Sequence, residues 1–185
     1  LFETADIGRG KAQAARDRIH EVNPDCKVEI FEEKITAQNA KKFISGFDIV
    51  ADGCDNFETR FAVSDGCMAA KKTLVSAAIS GFSAQISTFK PYLGNQHPCY
   101  RCLVPQMPAR EISCAQEGII GPLAGIMGSM QALEVIKELL GSGRSLSGSL
   151  FIMDALSMDI RKVALLPDPF CSFCLKGDQV SPVGS

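Results

Sequence analysis

The sequence has no excess of charge of one sign and no long basic run. Its 185 residues include 19 lysines and arginines and 21 aspartates and glutamates, which gives a formal net charge of -2. A nucleic-acid-binding protein would normally present a clustered basic face, whereas the basic runs here are no longer than the pairs at 41–42 and 71–72. The charge pattern therefore predicts no nucleic-acid partner.

The sequence also lacks a membrane-spanning run and an export signal. Residues 118–133 carry no charge, but these 16 residues fall short of the roughly 20 that a helix needs to cross a bilayer. The chain does not open with a charged segment followed by an apolar stretch, as a signal peptide would. It starts at Leu1, inside a motif, so we expect a fragment or a processed chain of a cytoplasmic protein.

The eight cysteines give the clearest chemical signal. Four of them form two Cys-x-x-Cys pairs, Cys99/Cys102 and Cys171/Cys174, in which a tight turn can direct both sulfurs to one metal ion. Without an export signal, such pairs favour metal binding over disulfides. Four thiolates are the ligands of structural Zn²⁺ and leave no open position for catalysis. Two redox dithiols are the alternative, and His97 is not needed as a fifth ligand.

Hydrophobic periodicity predicts an α/β fold. The first half alternates helices and strands, which is typical of a parallel sheet covered by helices, and the second half ends in an antiparallel strand pair. We expect one domain over residues 1–176 and a disordered tail over 177–185. The predicted helices cover residues 12–22, 36–44, 57–72 and 122–140, and the predicted strands cover 28–30, 47–51, 73–78, 84–90, 150–154 and 162–166.

Lys11 is the first candidate for phosphate binding. The stretch Gly8–Lys11 is not a Walker motif, because Ala5 and Ala12 stand where that motif has glycine and serine or threonine. Two glycines nevertheless allow close backbone approach, and a lysine in the first turn of a helix can reach a phosphate as a mobile point charge. An exposed helix lysine without a ligand is the alternative.

A carboxylate and an amide follow the strand predicted at 47–51. Ligands of parallel α/β sheets bind beyond the carboxyl ends of the strands, and Asp52, Asp55 and Asn56 lie at such an end. Asp55 could bind Mg²⁺ or a ribose hydroxyl, and Asn56 could cap the helix that follows. The alternative is that either residue only caps the helix that follows.

Several motifs together resemble the MoeB/ThiF/HesA family of adenylyltransferases, which are related to ubiquitin-activating enzymes. The resemblance extends from Thr4 to about Cys174, with the motifs in the family's order and spacing. They occupy residues 4–12, 52–60, 99–103, 121–134 and 171–174. The resemblance implies an incomplete doubly wound, Rossmann-like parallel sheet with an added antiparallel strand pair and a four-cysteine zinc site.

The resemblance also implies a reaction. Such enzymes use MgATP to adenylate the C-terminal glycine of a small ubiquitin-like sulfur carrier protein that ends in Gly-Gly, and a sulfur donor then gives a thiocarboxylate for molybdopterin or thiamine synthesis. It implies that Lys11 neutralises phosphate charge, that Asp55 helps to hold Mg²⁺, that Asn56 lines the ATP pocket, and that the paired cysteines bind Zn²⁺. It also implies a homodimer, for which the small residues Gly121, Gly125 and Ser129 offer a close-approach face, and ordinary packing of these residues in the core is the alternative.

The family's first strand and Gly-x-Gly-x-x-Gly turn are not present in this sequence. We therefore expect weak or no ATP binding by the isolated chain, and a non-catalytic, zinc-stabilised subunit that binds a ubiquitin-like protein is the second hypothesis. A thiol redox protein is the third. Cys114 stands where some relatives have a cysteine for sulfur transfer, and an inert loop cysteine is the alternative there. Cys26, Cys54 and Cys67 are expected to be buried small apolar residues.

Overall fold

The structure of this chain is a computed structural model that describes residues 2–108, 118–171, 173 and 174. It divides into two compact units, Leu1–Lys34 and Ile35–Ser185. The proposed extent of one domain over 1–176 stays a prediction, and the tail predicted at 177–185 lies outside the described residues. Among the described residues, no helix has both the length and the apolar composition that crossing a membrane requires.

The first unit is built around helix α1, Lys11–Val22. A short 3-10 turn, Thr4–Asp6, precedes it. Gly8 connects the two with a φ of 86°, a conformation that glycine adopts without steric cost. The helix ends at Asn23, whose backbone N–H donates to the carbonyl of Ile19. The helix predicted from the apolar periodicity is therefore confirmed.

The strand predicted at residues 28–30 is wrong. Residues 26–32 have no regular secondary structure, although Val28 and Ile30 alternate with polar neighbours. A strand exists only where a second strand accepts its hydrogen bonds, and none of the described residues of the first unit forms a strand. The alternation alone was therefore not sufficient evidence.

The second unit contains a mixed five-stranded sheet in the order β1-β2-β3-β4-β5. Strands β1 and β2 are parallel and are connected by a helix, while the later neighbours are all antiparallel. This confirms the predicted α/β class with an antiparallel pair at the end. The strands are Ile49–Asp52 (β1), Thr73–Ser80 (β2), Ser83–Phe89 (β3), Ser149–Asp154 (β4) and Asp159–Ala164 (β5).

The change from parallel to antiparallel pairing has a local cause. Only Gly81 and Phe82 separate β2 from β3, and a connection of two residues can only reverse the chain. Gly81 has a φ of 54°, which is the backbone conformation that such tight turns require. The parallel arrangement is therefore limited to β1 and β2, which have a full crossover helix between them.

Within the described part of the second unit, four α-helices accompany the sheet. They are Ala40–Ile44 (α2), Phe57–Ala70 (α3), Tyr100–Leu103 (α4) and Gly121–Leu140 (α5). The prediction that Thr36 starts α2 is wrong, because the Thr36 N–H donates to the Asn39 side chain at 2.7 Å and forms a turn before the helix. The long helix α5 ends at Gly141, as predicted, in the left-handed conformation.

Two hydrophobic clusters lie on the opposite faces of the sheet. Because successive side chains of a strand point to opposite faces, the neighbours Leu74 and Val75 of β2 belong to different clusters. One cluster contains Leu74 with Phe61 of α3, and the other contains Val75 with Met127 of α5. The side chains of β2 thus pack alternately against α3 on one face and α5 on the other, so this part of the sheet lies between the two helices.

Helices α2 and α3 pack closely at Gly66. A Cβ atom on this residue would lie 2.9 Å from the Ala40 Cβ and 2.9 Å from the Ile44 Cδ1. We expect Gly66→Ala to lower the free energy of unfolding by about 1–3 kcal/mol, because the two helices must separate. Gly46→Ala is the matched control, since nothing lies within 4 Å of its Cβ position and its φ is not positive. Urea unfolding measures both, and equal effects would contradict the close packing.

Candidate functional site

The loop between β1 and α3 contains the predicted acidic candidates. Asp52 is the last residue of β1, and Asn56 is the N-cap of α3. The Asn56 Oδ1 accepts a hydrogen bond from the Thr59 N–H at 2.8 Å, and its Nδ2 donates to Asp55 at 3.1 Å. Asp55 is exposed. Asn56 thus caps α3 and Asp55 is exposed, and the roles of both residues at a nucleotide site stay predictions.

A buried arginine side chain holds the β1–α3 loop in place through hydrogen bonds. Arg60 and Asp52 are both buried, and the guanidinium Nη1 lies 3.2 Å from the Asp52 carboxylate. The same nitrogen donates to the Ser76 hydroxyl at 3.1 Å, and that hydroxyl donates to Asp52 at 2.9 Å. The Arg60 Nη2 donates to the carbonyls of Cys54 and Ala77. The guanidinium thus joins the loop to β2.

A second side chain holds the same strand ends from the other face. The Gln131 Nε2 on α5 donates to the backbone carbonyls of Asp52 and Val75, at 2.8 and 2.9 Å. The Asp52 carboxylate in turn accepts from the Cys54 N–H at 2.8 Å. Sequence reasoning placed Arg60 and Gln131 in motifs but gave neither a role. The available signal for Arg60 was its position directly before an apolar run on a helix. Such a position is buried, and burying a charged side chain is costly unless it is paired.

Lys11 is in the first unit, where it is the first residue of α1. It is exposed, and Gly10 precedes it as the N-cap in extended conformation. The backbone of α1 is anchored beside it, since the Gln13 Nε2 donates to the Glu32 carboxylate at 2.6 Å. The structure thus places Lys11 on a helix start, as predicted, and its role as a phosphate ligand stays a prediction.

The four paired cysteines lie together in the second unit. Their sulfur atoms all lie within 4.8 Å of one another. Three separations are 3.8 Å for Cys99–Cys102, 3.7 Å for Cys99–Cys171 and 3.6 Å for Cys102–Cys174. A tetrahedral ion with Zn–S bonds of about 2.3 Å separates its sulfurs by about 3.8 Å. These residues therefore fit a Zn²⁺ ion, and none of the separations is near a disulfide bond length.

The surroundings shift the pKa values of these cysteine thiols in different directions. Burial raises the pKa of Cys99 strongly, and it raises that of Cys174 to about 12. Burial also acts on Cys171, but hydrogen bonds from the backbone N–H groups of Cys174 and Phe173 outweigh it and lower the pKa of that thiol. A bound cation would favour the thiolate form of all four cysteines.

The remaining candidates are not part of this cluster. His97 Nδ1 lies 2.8 Å from the Ser147 hydroxyl, and the cluster contains only cysteines. Burial raises the pKa values of Cys54 and Cys67 to about 12, so neither is a reactive thiol near neutral pH. Cys26 is exposed, contrary to the prediction, because it follows the turn at the end of α1. Cys114 lies outside the described residues.

Comparison with known proteins agrees with these motifs. The profile described as the ThiF family matches residues 1–173 of this chain. The chain belongs to the ThiF family. A sulfur carrier protein adenylyltransferase of Thermus thermophilus is 39% identical over 183 residues, covering 97% of this chain and 67% of the relative. The sulfur carrier protein ThiS adenylyltransferase of Escherichia coli is 34% identical over 183 residues, covering 99% and 71%.

This chain covers a smaller share of two other similar proteins. The SAMP-activating enzyme E1 of Haloferax volcanii is 37% identical over 174 residues, and the chain spans 63% of its length. The crystal structure of E. coli MccB with ATP has a TM-score of 0.76 and 20% identity, covering 94% of this chain and 53% of MccB. The chain thus spans about two thirds of these curated relatives and about half of the solved structure, which shares its fold.

The charged pair under the loop gives a test of this arrangement. We expect Arg60→Leu to lower the free energy of unfolding by about 3–5 kcal/mol, because Asp52 stays buried without its partner charge. Adding Asp52→Asn removes the stranded charge, so the double variant should lose less than the sum of the two single losses. Urea unfolding of the wild type and the three variants completes the cycle. Additive losses would show that the two side chains do not interact.

Proposed function

We propose that the chain activates a sulfur carrier protein by adenylating its C-terminal carboxylate with ATP. The observation that carries the proposal is the 39% identity to the Thermus sulfur carrier protein adenylyltransferase over 97% of this chain. The β1–α3 loop supports it, because Arg60 and Gln131 fix an exposed Asp55 at the carboxyl end of a parallel strand. Ligands of α/β sheets bind at such strand ends.

The reaction needs charge neutralisation more than covalent chemistry. The carrier's carboxylate attacks the α-phosphorus of ATP, the bond to the bridging oxygen breaks, and pyrophosphate leaves. The attacking group and the phosphates are both negative, so the enzyme has to position them and screen their charge. We assign the phosphate screening to Lys11 and the Mg²⁺ contact to Asp55. Asn56 holds Asp55 and the first turn of α3 in place.

The carrier is assigned by class. Relatives are named for sulfur carrier proteins, including ThiS in E. coli and SAMP in H. volcanii. We propose a small ubiquitin-like carrier that ends in Gly-Gly, as the resemblance to the MoeB/ThiF/HesA family implies. The activated acyl group would then receive sulfur for molybdopterin or thiamine synthesis.

The cysteine cluster has a structural part in this proposal. Four thiolates complete the coordination of Zn²⁺, so such an ion keeps no position for substrate. When bound, it would join the segment at Cys99 and Cys102 to the distant segment at Cys171 and Cys174. A metal content of one Zn²⁺ per chain without titratable dithiol separates this assignment from a thiol redox protein.

Isotope exchange between ATP and pyrophosphate tests the adenylation step. Because the isolated chain is expected to bind ATP weakly or not at all, exchange is measured on the chain alone and on the chain joined to the upstream segment of a relative. With a carrier ending in Gly-Gly, we expect exchange by the joined form to fall about 100-fold or more in Lys11→Ala and in Asp55→Ala, because each variant loses a charge that stabilises the transition state. Lys27→Ala and Asp48→Ala are matched controls, since both side chains are exposed and lie outside the motifs. They should exchange like the wild type.

Two outcomes would contradict the proposal. Exchange that survives both Lys11→Ala and Asp55→Ala would remove these residues from the site. If the chain binds the carrier without any exchange, also when joined to the upstream segment of a relative, the non-catalytic subunit replaces the enzyme. Carrier binding by calorimetry is therefore measured on the same samples.

We propose also that the chain pairs with a second copy through α5. Every exposed residue of this helix is apolar or small and uncharged. Leu133 and Ile136 are 59% and 51% exposed, and an apolar face of this kind is typical of an interaction site. Gly125 and Ser129 lie on the same exposed side and allow a second helix to approach. A two-fold homodimer is the commonest assembly that places one face against itself.

Sedimentation tests the pairing. We expect the wild type to sediment as a dimer and Leu133→Asp to sediment as a monomer, because a carboxylate on this face cannot be buried without a partner. Leu156→Asp is the control, since Leu156 is 72% exposed in the turn between β4 and β5, away from α5. A monomeric wild type at micromolar concentration would contradict the second copy.

A further inference from the structure

The two cysteine pairs are far apart in the chain, and something must bring them together. Sixty-eight residues lie between Cys102 and Cys171. Closing such a long loop costs conformational entropy, which direct contacts between the two segments offset, such as the hydrogen bond from the Asp168 N–H to the Cys102 sulfur at 3.4 Å. Arg101 lies inside the first pair, and Phe173 lies inside the second. Their side chains are therefore the first candidates for a direct link.

Arg101 is fixed to helix α3 by two parallel hydrogen bonds. Its Nε donates to one Asp65 carboxylate oxygen at 3.2 Å, and its Nη2 donates to the other at 2.6 Å. This two-point pairing orients the plane of the guanidinium, which a lysine could not reproduce. A guanidinium keeps its positive charge at any ordinary pH. The first pair is thus attached to α3.

The same guanidinium contacts two aromatic rings, one on α3 and one between the cysteines of the second pair. Its Cζ lies 4.6 Å from the ring centroid of Phe61 on α3 and 5.0 Å from that of Phe173. Both distances lie within the range in which a cation is attracted to an aromatic face. Arg101 therefore connects α3, the first cysteine pair and the residue directly before Cys174.

The charge of Arg101 also suits a tetrathiolate site. Four thiolates around Zn²⁺ have a net charge of about -2, which a partly buried site must compensate. Arg101 lies between Cys99 and Cys102 in the chain, and its guanidinium contacts Phe173, the residue directly before Cys174, so its positive charge lies beside both pairs. Its position thus combines attachment, aromatic contact and charge compensation.

We propose that Arg101 is a positioning residue that clamps the two cysteine pairs together on α3 and so slows the loss of the bound Zn²⁺. The ligands themselves are the four cysteines, and Arg101 acts on them through Asp65, Phe61 and Phe173. This role is independent of the proposed adenylation, because it concerns only retention of the metal.

The test is the rate at which Zn²⁺ passes from the intact chain to excess chromogenic chelator. We expect Arg101→Ala to release Zn²⁺ at least about tenfold faster than the wild type, in the range of other residues that support metal ligands. Arg101→Lys keeps the charge but loses the two-point pairing, so it should fall between the two. Asp65→Asn should also accelerate release, because Arg101 loses its anchor.

Two controls separate the clamp from a general loss of stability. Arg161→Ala removes an exposed arginine of β5, and Met127→Ala opens a cavity in the hydrophobic cluster on the other face of the sheet. Both should release Zn²⁺ like the wild type, although Met127→Ala lowers the urea midpoint. Release from Arg101→Ala within twofold of the wild type would overturn the clamp, as would equally fast release from Met127→Ala. A wild type that contains no Zn²⁺ would also overturn the proposed role of Arg101. That result would be independent of the ATP–pyrophosphate exchange assay.

Discussion

The second unit depends on a guanidinium buried beneath the β1–α3 loop. Taking Arg60 and Asp52 out of water is costly, and the fold compensates by giving the guanidinium four partners on the strand end, the loop and β2. An apolar pair of the same volume could stabilise the core as well. The charged network does something that apolar side chains cannot do, because its directional hydrogen bonds fix the Cys54 carbonyl and thereby the path of the exposed loop.

Helix α3 connects this loop to the cysteine cluster. Its first turn is capped by Asn56, its second turn supplies Arg60, and Phe61 and Asp65 follow on the side that faces Arg101. The candidate nucleotide loop and the candidate metal site are therefore supported by one rigid element of 14 residues.

The sequence predicted those features that local patterns determine. Periodicity located α1, α3 and α5, and the spacing of the cysteine pairs predicted the sulfur cluster, because each depends on neighbours within a few positions. The sequence-based prediction failed at residues 28–30, because a strand forms only with a partner strand. It also failed at Thr36, which lies in a turn before α2 and donates its N–H to the Asn39 side chain. The roles of Arg60 and Arg101 were also missed. Their partners Ser76 and Phe173 lie 16 and 72 positions away, and no local pattern records such pairings.

The cysteines divide into groups with different chemistry, and this division bears on the reaction. Four are gathered for a cation, and burial holds the pKa of Cys54 and Cys67 near 12. Thiols with raised pKa values are poor nucleophiles near neutral pH. The proposed adenylation consumes a carboxylate and ATP and needs no thiol, so the raised pKa values of Cys54 and Cys67 are compatible with that proposal.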